Sequence, residues 1–258
     1  MDFRGIVMTS VDYDFKLGED RLNSLLDQID SITVADDISK TLLDAKQRYG
    51  LNHIVYIGLS IPKLTVDEPY IAVTYPQEWI EHYKRERFIE VDPVLNQGLK
   101  SILPMDWQQL EKTTRKVKQL FDDAADFKIG SQGISIPIRG RHGDLALLSL
   151  TSDLSPLEWR NFKLAYMRDF QVLAVHIHQS VLRANDAEIE ETPLSRRELE
   201  CLYWAACGKT ADEIALILKL TRRGVRFHLS NVIFKLNVVN VTQAAAKASA
   251  YEMINNLR

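Results

Sequence analysis

The sequence predicts an α+β protein in two parts. The first is an antiparallel sheet flanked by helices, an α-β-α sandwich; the second is a small all-α C-terminal unit of four helices built on a helix-turn-helix. Three observations carry this expectation. Strand-like runs in the first two thirds follow one another as a meander instead of each being followed by a helix, the pattern of an antiparallel sheet with helices on its faces. The last quarter carries helix punctuation at close spacing, Ser195 with Glu198 and Thr210 with Glu213, two S/T-x-x-E capping boxes. Charge is also divided: residues 193–258 hold ten Lys/Arg against five Asp/Glu, about +5, in a chain of net −3, leaving about −8 for residues 1–192.

In chain order, Glu19–Ile32 and Ala35–Tyr49 read as amphipathic helices, with Leu22, Leu25, Leu26 and Ile29, then Ile38, Leu42, Leu43 and Ala45, as apolar positions. Gly50 ends the second. Asp36 and Asp37 open it, where the helix dipole favours carboxylates. A phosphoacceptor receiver also opens on an acidic pair, but it needs a third aspartate at a strand end, and Trp79-Ile80-Glu81 stands in that region. His53–Ser60 and Tyr70–Tyr75 are β-rich, Gln77–Phe88 is helical, and Gly133–Ile138 and Asp144–Ser152 form a strand pair joined by Gly140-Arg141-His142-Gly143. Ser155-Pro156-Leu157-Glu158 combines a capping box with a first-turn proline and opens a helix running to about Arg183. Phe162, Ala165, Tyr166, Phe170, Leu173, Ile177 and Val181 recur along it in three- and four-residue steps, so it has the length to serve both a core and a partner. His176 and His178 point to different faces of that helix and make a poor metal pair. Ala184–Pro193 is polar and acidic, a linker.

In the C-terminal unit Gly208 stops the first helix, Asp212–Leu218 is short with Ile214, Ile217 and Leu218 on one side, and Lys219–Thr221 turns into a longer helix, roughly Arg222–Leu236. There Val225, Leu229, Val232 and Leu236 make a buried stripe, leaving Arg223, Arg226, Phe227 and Ser230 together on the opposite face. That face suits base edges in a major groove. The same arginines also suit the plain solvated side of an amphipathic helix; the basic balance of this end favours the groove. Cys201 and Cys207, the only cysteines, read as small core residues, too few for a disulfide framework or a four-ligand zinc site. With 46% hydrophobic and 26% charged residues and no apolar window approaching 18, a membrane-spanning segment is not expected. The acidic N-terminus lacks the basic start and apolar core of a secretory signal, which predicts a cytoplasmic chain.

Tyr75, Trp79 and Tyr83 lie four apart, stacking one helical side into an apolar wall with two hydroxyls and an indole N–H as polar handles. Asp92-Pro93 and Trp107 follow. Such aromatics more often belong to a core, and Asp92 before Pro93 reads first as a helix cap. An acyl-transfer enzyme using Asp92 with His82 or Ser149 has little support, because no G-x-S-x-G elbow is present.

The stretch LSRRELECLYWAACGKTADEIALIL…VRFHLSNVIFKLNV resembles the C-terminal DNA-binding domain of LuxR-type transcription regulators over Leu194–Ala248. Glu198, Leu202, Gly208, Lys209, Thr210, Glu213, Val225, His228, Asn231, Lys235, Leu236 and Asn240 stand where that family's pattern has them. Gly224, in place of a common Thr, and Val241, in place of a common Arg, depart from it. Upstream, TYPQEWIEHYKRERFIEVDPVL…W…GISIP…LLSLTSD resembles the acyl-homoserine-lactone-binding domain of the quorum-sensing members, over roughly residues 35–180. Lys128 stands where relatives often have Gly. The resemblance implies that Trp79 donates to the lactone carbonyl, Asp92 accepts the ligand amide N–H and Tyr75 donates to the acyl carbonyl. Tyr83, Pro93, Trp107 and Gly133 match the remaining pocket and packing positions, and Ser149 one that addresses an oxygen on acyl carbon 3.

The whole then implies a homodimeric, cytoplasmic regulator without enzyme activity, cofactor or metal. Residues 19–183 would form the autoinducer-binding and dimerisation domain, 184–193 the linker and 194–258 the DNA-binding head. Lys209, Thr210, Arg222, Arg223, Arg226, Phe227, Ser230, Asn231 and Lys235 would meet a double-stranded operator of two-fold symmetry. The alternative is a regulator of the same build that answers another small molecule or acts by mixed dimerisation.

Overall fold

The computed structural model describes residues 10–34, 36–59, 61, 69–140, 143–185, 194–250 and 253–254. The chain divides into two compact units, each described by itself.

In the first unit, helices α1 (Ser10–Asp30) and α2 (Asp36–Tyr49) precede strands β1 (His53–Gly58) and β2 (Tyr70–Val73). Helices α3 (Gln77–Arg85) and α4 (Pro93–Gly98), the short β3 (Met105–Asp106) and α5 (Arg115–Asp126) follow, then the hairpin β4 (Gln132–Arg139) and β5 (Leu145–Ser152) and the 29-residue α6 (Pro156–Ala184). The five strands pair antiparallel in the order β2-β1-β5-β4-β3. Alternation along each strand separates two faces. Ile54, Tyr56, Ile134, Ile136, Ile138, Ala146, Leu148 and Leu150 pack with Leu25, Ile29, Ile38 and Leu42 of α1 and α2 and with Phe170, Leu173 and Ile177 of α6. The other face carries Val55, Ile57, Ile71, Val73 and Ser149, which line a cavity with residues of α3 and α5.

The α+β class and the α-β-α layering agree with expectation; several boundaries move. α1 begins at Ser10, nine residues before Glu19, in a stretch with no proline to stop it. α3 ends at Arg85, because Arg87 takes a left-handed conformation (φ 53°) and turns Phe88 into the core through a 3₁₀ turn. Ala165 of α6 is exposed, on the flank of the stripe that Tyr166 and Phe170 continue. His176 and His178 point apart: His176 Nδ1 lies 3.2 Å from Asp30, and His178 Nδ1 lies 2.6 Å from the Tyr56 hydroxyl inside the core. Residues 186–193 of the expected linker lie outside the described residues.

The second unit comprises α7 (Arg196–Ala206), α8 (Ala211–Leu218), α9 (Arg222–Lys235) and α10 (Val241–Ala250). Both capping boxes form, at Ser195/Glu198 and Thr210/Glu213. Gly208 has φ +81°, a conformation that a Cβ would strain, and it ends α7. The α8–α9 turn uses Lys219 at φ 55°, and Thr221 caps α9 by accepting the Gly224 N–H at 3.0 Å. Gly224 is thus the third residue of α9, in the first turn, where the interior penalty of glycine is reduced and a Cβ would sit 3.2 Å from the capping hydroxyl. Two expected core positions are corrected. Ile217 is exposed, since Ile214 and Ala215 fill the inward side of so short a helix, and Cys207 is exposed at the end of α7, whereas Cys201 is buried.

Candidate functional site

The cavity of about 220 Å³ lies between the sheet and α3–α5. The register sets its floor: Val73 pairs Val55, Val55 pairs Ser149, and Ser149 pairs Ser135, so these four form one row across the sheet. Ile57 and Ile71 form the next row on the same face. Trp79, Ile80 and Tyr83 of α3, the Asp92 cap of α4, and Leu120, Phe121 and Ala124 of α5 close the opposite side. The wall is almost wholly hydrocarbon, and its polar atoms come from few residues.

Asp92 fills two places at once. Oδ1 accepts the Val94 N–H at 2.8 Å and so caps α4, whose first residue is Pro93; Oδ2 accepts the Tyr83 hydroxyl at 2.8 Å. The helix-cap reading of Asp92 is therefore correct, and it leaves the carboxylate on the cavity wall with lone pairs to spare. Burial pushes the Asp92 carboxyl above the usual carboxylate range, against the hydrogen bonds from Tyr83, Val94 and Leu95 that favour its ionised form. Burial, and then the Asp92 charge, also push the Tyr83 and Tyr75 hydroxyls upward, so both remain donors at neutral pH. The Tyr75 hydroxyl and the Trp79 indole N–H have no hydrogen-bond partner among the described residues, yet both side chains line the cavity.

Trp107 reaches the same wall from the far end of the sheet. Its Nε1–H donates to Ser135 Oγ at 2.8 Å, and the Ser135 and Ser149 hydroxyls share a 2.7 Å hydrogen bond. Gly133 makes room for the ring: a Cβ there would lie 2.2 Å from Trp107. Of the eight ligand residues read from the sequence, Tyr75, Trp79, Tyr83, Asp92, Trp107 and Ser149 line the cavity, while Pro93 and Gly133 stand behind it. Ser135 was missed. Its signal was the alternation of β4, which puts Gly133 and Ser135 on one face. His82 is turned elsewhere, with Nε2 2.7 Å from Asp123 and its ring stacked on Phe127.

On the head, Val225, Leu229, Val232 and Leu236 are buried and fix the roll of α9. Arg222, Arg223, Arg226, Phe227 and Ser230 are exposed, and Asn231 is half-buried. Arg222 pairs with Asp212 at 3.3 Å, whereas Arg223 and Arg226 have no acidic partner among the described residues. Lys209 lies 3.5 Å from Glu213, and the Thr210 hydroxyl is engaged in its capping box. The Lys235 ammonium is held 2.8 Å from Glu198, which is only 3% exposed and also accepts the Ser195 N–H. Burial opposes ionisation of Glu198, but the hydrogen bonds from Lys235 and Ser195 hold its carboxyl below the usual range. Among the described residues no cluster of His, Cys, Asp or Glu is placed to hold a metal, and no helix is long and apolar enough to cross a membrane.

Comparison with known proteins finds two family matches. Residues 35–181 match the family described as autoinducer binding domain, and residues 192–248 that described as bacterial regulatory proteins, luxR family. The transcriptional activator protein VanR of Vibrio anguillarum is 30% identical over 233 residues, covering 90% of this chain and 96% of its own length. RaiR of Rhizobium etli, also a transcriptional activator protein, is 32% identical over 181 residues, 69% of this chain and 75% of its own. The crystal structure of Escherichia coli SdiA superposes with a TM-score of 0.64 at 24% identity, over 90% of this chain and 97% of that one, a likeness of fold.

Proposed function

The chain belongs to the LuxR family of autoinducer-binding, quorum-sensing transcription regulators, and from that premise we propose which residues carry the activity. The ligand is an acyl-homoserine lactone. Trp79 donates its indole N–H to the lactone carbonyl, Tyr75 donates to the acyl carbonyl, and Asp92 accepts the amide N–H. Tyr83 holds Asp92 in place, and Trp107 closes the wall through Ser135, with Ser149 facing the acyl chain near its third carbon. One observation carries the reading: in an apolar cavity, two aromatic donors without partners and one carboxylate with spare lone pairs converge, a costly arrangement unless a ligand answers all three.

The sensor comprises residues 19–183, the linker 184–193 and the head 194–258. Arg223 and Arg226 carry base readout, with Lys209, Thr210, Arg222, Phe227, Ser230 and Asn231 around them; Lys235 supports the helix through Glu198. The protein acts in the cytoplasm as a homodimer on an operator of two-fold symmetry. No catalytic role is assigned, and His82 is committed to Asp123.

A ligand that binds only the folded state stabilises it by about 2.7 kcal/mol at a hundredfold excess over Kd. The cognate lactone therefore raises Tm. Asp92→Asn keeps one carbonyl oxygen to cap α4 but turns an N–H₂ where the second oxygen stood, so the fold stays while most of the lactone-induced shift vanishes. An intact shift in Asp92→Asn removes the assigned role of Asp92. No shift with any lactone in the wild-type protein removes the lactone as the ligand.

A further inference from the structure

We propose that Phe227 reads thymine: its ring covers the C5-methyl group of a thymine in the major groove, beside the bases addressed by Arg223 and Arg226. This rests on the DNA-binding reading of the head and deepens it, by naming a base that neither arginine specifies.

Phe227 is 62% exposed, and its ring lies edge-on to His228 at 5.7 Å. It belongs to neither apolar cluster of the head. Its direction is nevertheless set, because Val225 and Leu229, two residues to either side, are buried and lock the roll of α9. Phe227 follows Arg223 by four residues and precedes Ser230 by three, so the three share one face, with Arg226 on its flank. An apolar ring at the edge of a face that also carries two guanidiniums without an acidic partner among the described residues is an unsuitable surface for a greasy protein partner or for another basic face. It suits a groove whose floor combines acceptor edges with scattered methyl groups. Thymine is the base that offers a methyl group there, and apolar side chains recognise it by contact. Arginine prefers guanine, so the arginines and the ring divide the site between them.

Burying one methyl group is worth about 0.8 kcal/mol, roughly fourfold in affinity per half-site and about fifteenfold for a two-fold operator. The experiment uses the full chain with a mixture of short-, medium- and long-chain N-acyl-homoserine lactones. Duplexes are selected from a random pool, and the enriched site is then remade with 2′-deoxyuridine at each thymine in turn. The expected result is one thymine per half-site whose replacement weakens wild-type binding about fourfold, with the loss absent in Phe227→Ala and partly kept in Phe227→Leu. Both variants alter an exposed side chain, and an unchanged melting curve confirms that the head is folded. Equal binding of thymine and uracil duplexes at every position overturns the proposal, as does a uracil penalty that persists in Phe227→Ala. A selection that enriches no common sequence removes the regulator reading and this one with it.

Discussion

Asp92 joins two tasks in one carboxylate, and its protonation ties them to pH. Its folded pKa is raised, so ionisation costs stability in the unliganded protein above that pKa, and the cost is relieved as pH falls through it. With the role proposed for Asp92, ligand affinity runs the other way, because only the ionised form would accept the amide N–H without giving up an acceptor. Lactone affinity measured calorimetrically therefore falls on acidification through a range above the ordinary carboxylate one, and Asp92→Asn binds weakly without that dependence. A flat wild-type profile contradicts the assignment. Gly133 offers a second test at this scale. Gly133→Ala drives a Cβ into the Trp107 ring, which loses its hydrogen bond to Ser135. Overpacking of this kind costs about 1–3 kcal/mol. A lower Tm and a weaker lactone shift are expected together, and a Tm drop with the full shift retained places Trp107 outside the ligand wall.

Among the elements, what was readable in the sequence is what local chemistry decides. Ser155, Ser195 and Thr210 with their glutamates mark three helix starts, and all three boxes form. Gly50 and Gly208 mark stops. Left-handed turns at Arg87 and Lys219 carried no such mark, because they are imposed by packing of Phe88 and of Leu220 and its neighbours. Nor did the sheet side of the cavity stand out, although the aromatic side did. β1 and β5 are buried on both faces, so alternation could not tell the face that packs on α1, α2 and α6 from the one that lines the cavity. Lys128 is a position where the mismatch is measurable. It adopts φ 57° just after α5 with its side chain exposed, a conformation costing a side-chain-bearing residue about 1–2 kcal/mol. Lys128→Gly therefore raises stability by about 1 kcal/mol, the gain being trimmed by the greater entropy of glycine in the unfolded chain. Thermal unfolding checks this, and a lower Tm in the variant rules out strain at this turn.

At the scale of the molecule, α6 presents more apolar surface than its own core uses. Leu157, Leu164 and Val175 lie on one outer face, with Leu164 79% exposed. If the proposed homodimer buries this face, Leu164→Glu gives a monomer in sedimentation at micromolar concentration, with the sensor still folded and two-site operator binding weakened. A dimer unchanged by Leu164→Glu moves the interface elsewhere. The sheet beneath α6 has its own implication. β4 and β5 are buried almost end to end, with α1, α2 and α6 on one face and Trp107, Phe121 and, at Ser149, the cavity on the other, so neither strand has the row of solvated side chains that lets most antiparallel strands drift. Under random mutagenesis tolerance along these strands will not alternate: a change at either parity meets packed neighbours, so loss of folding is expected at successive positions of the hairpin where an ordinary half-solvated strand would lose it only at every second one.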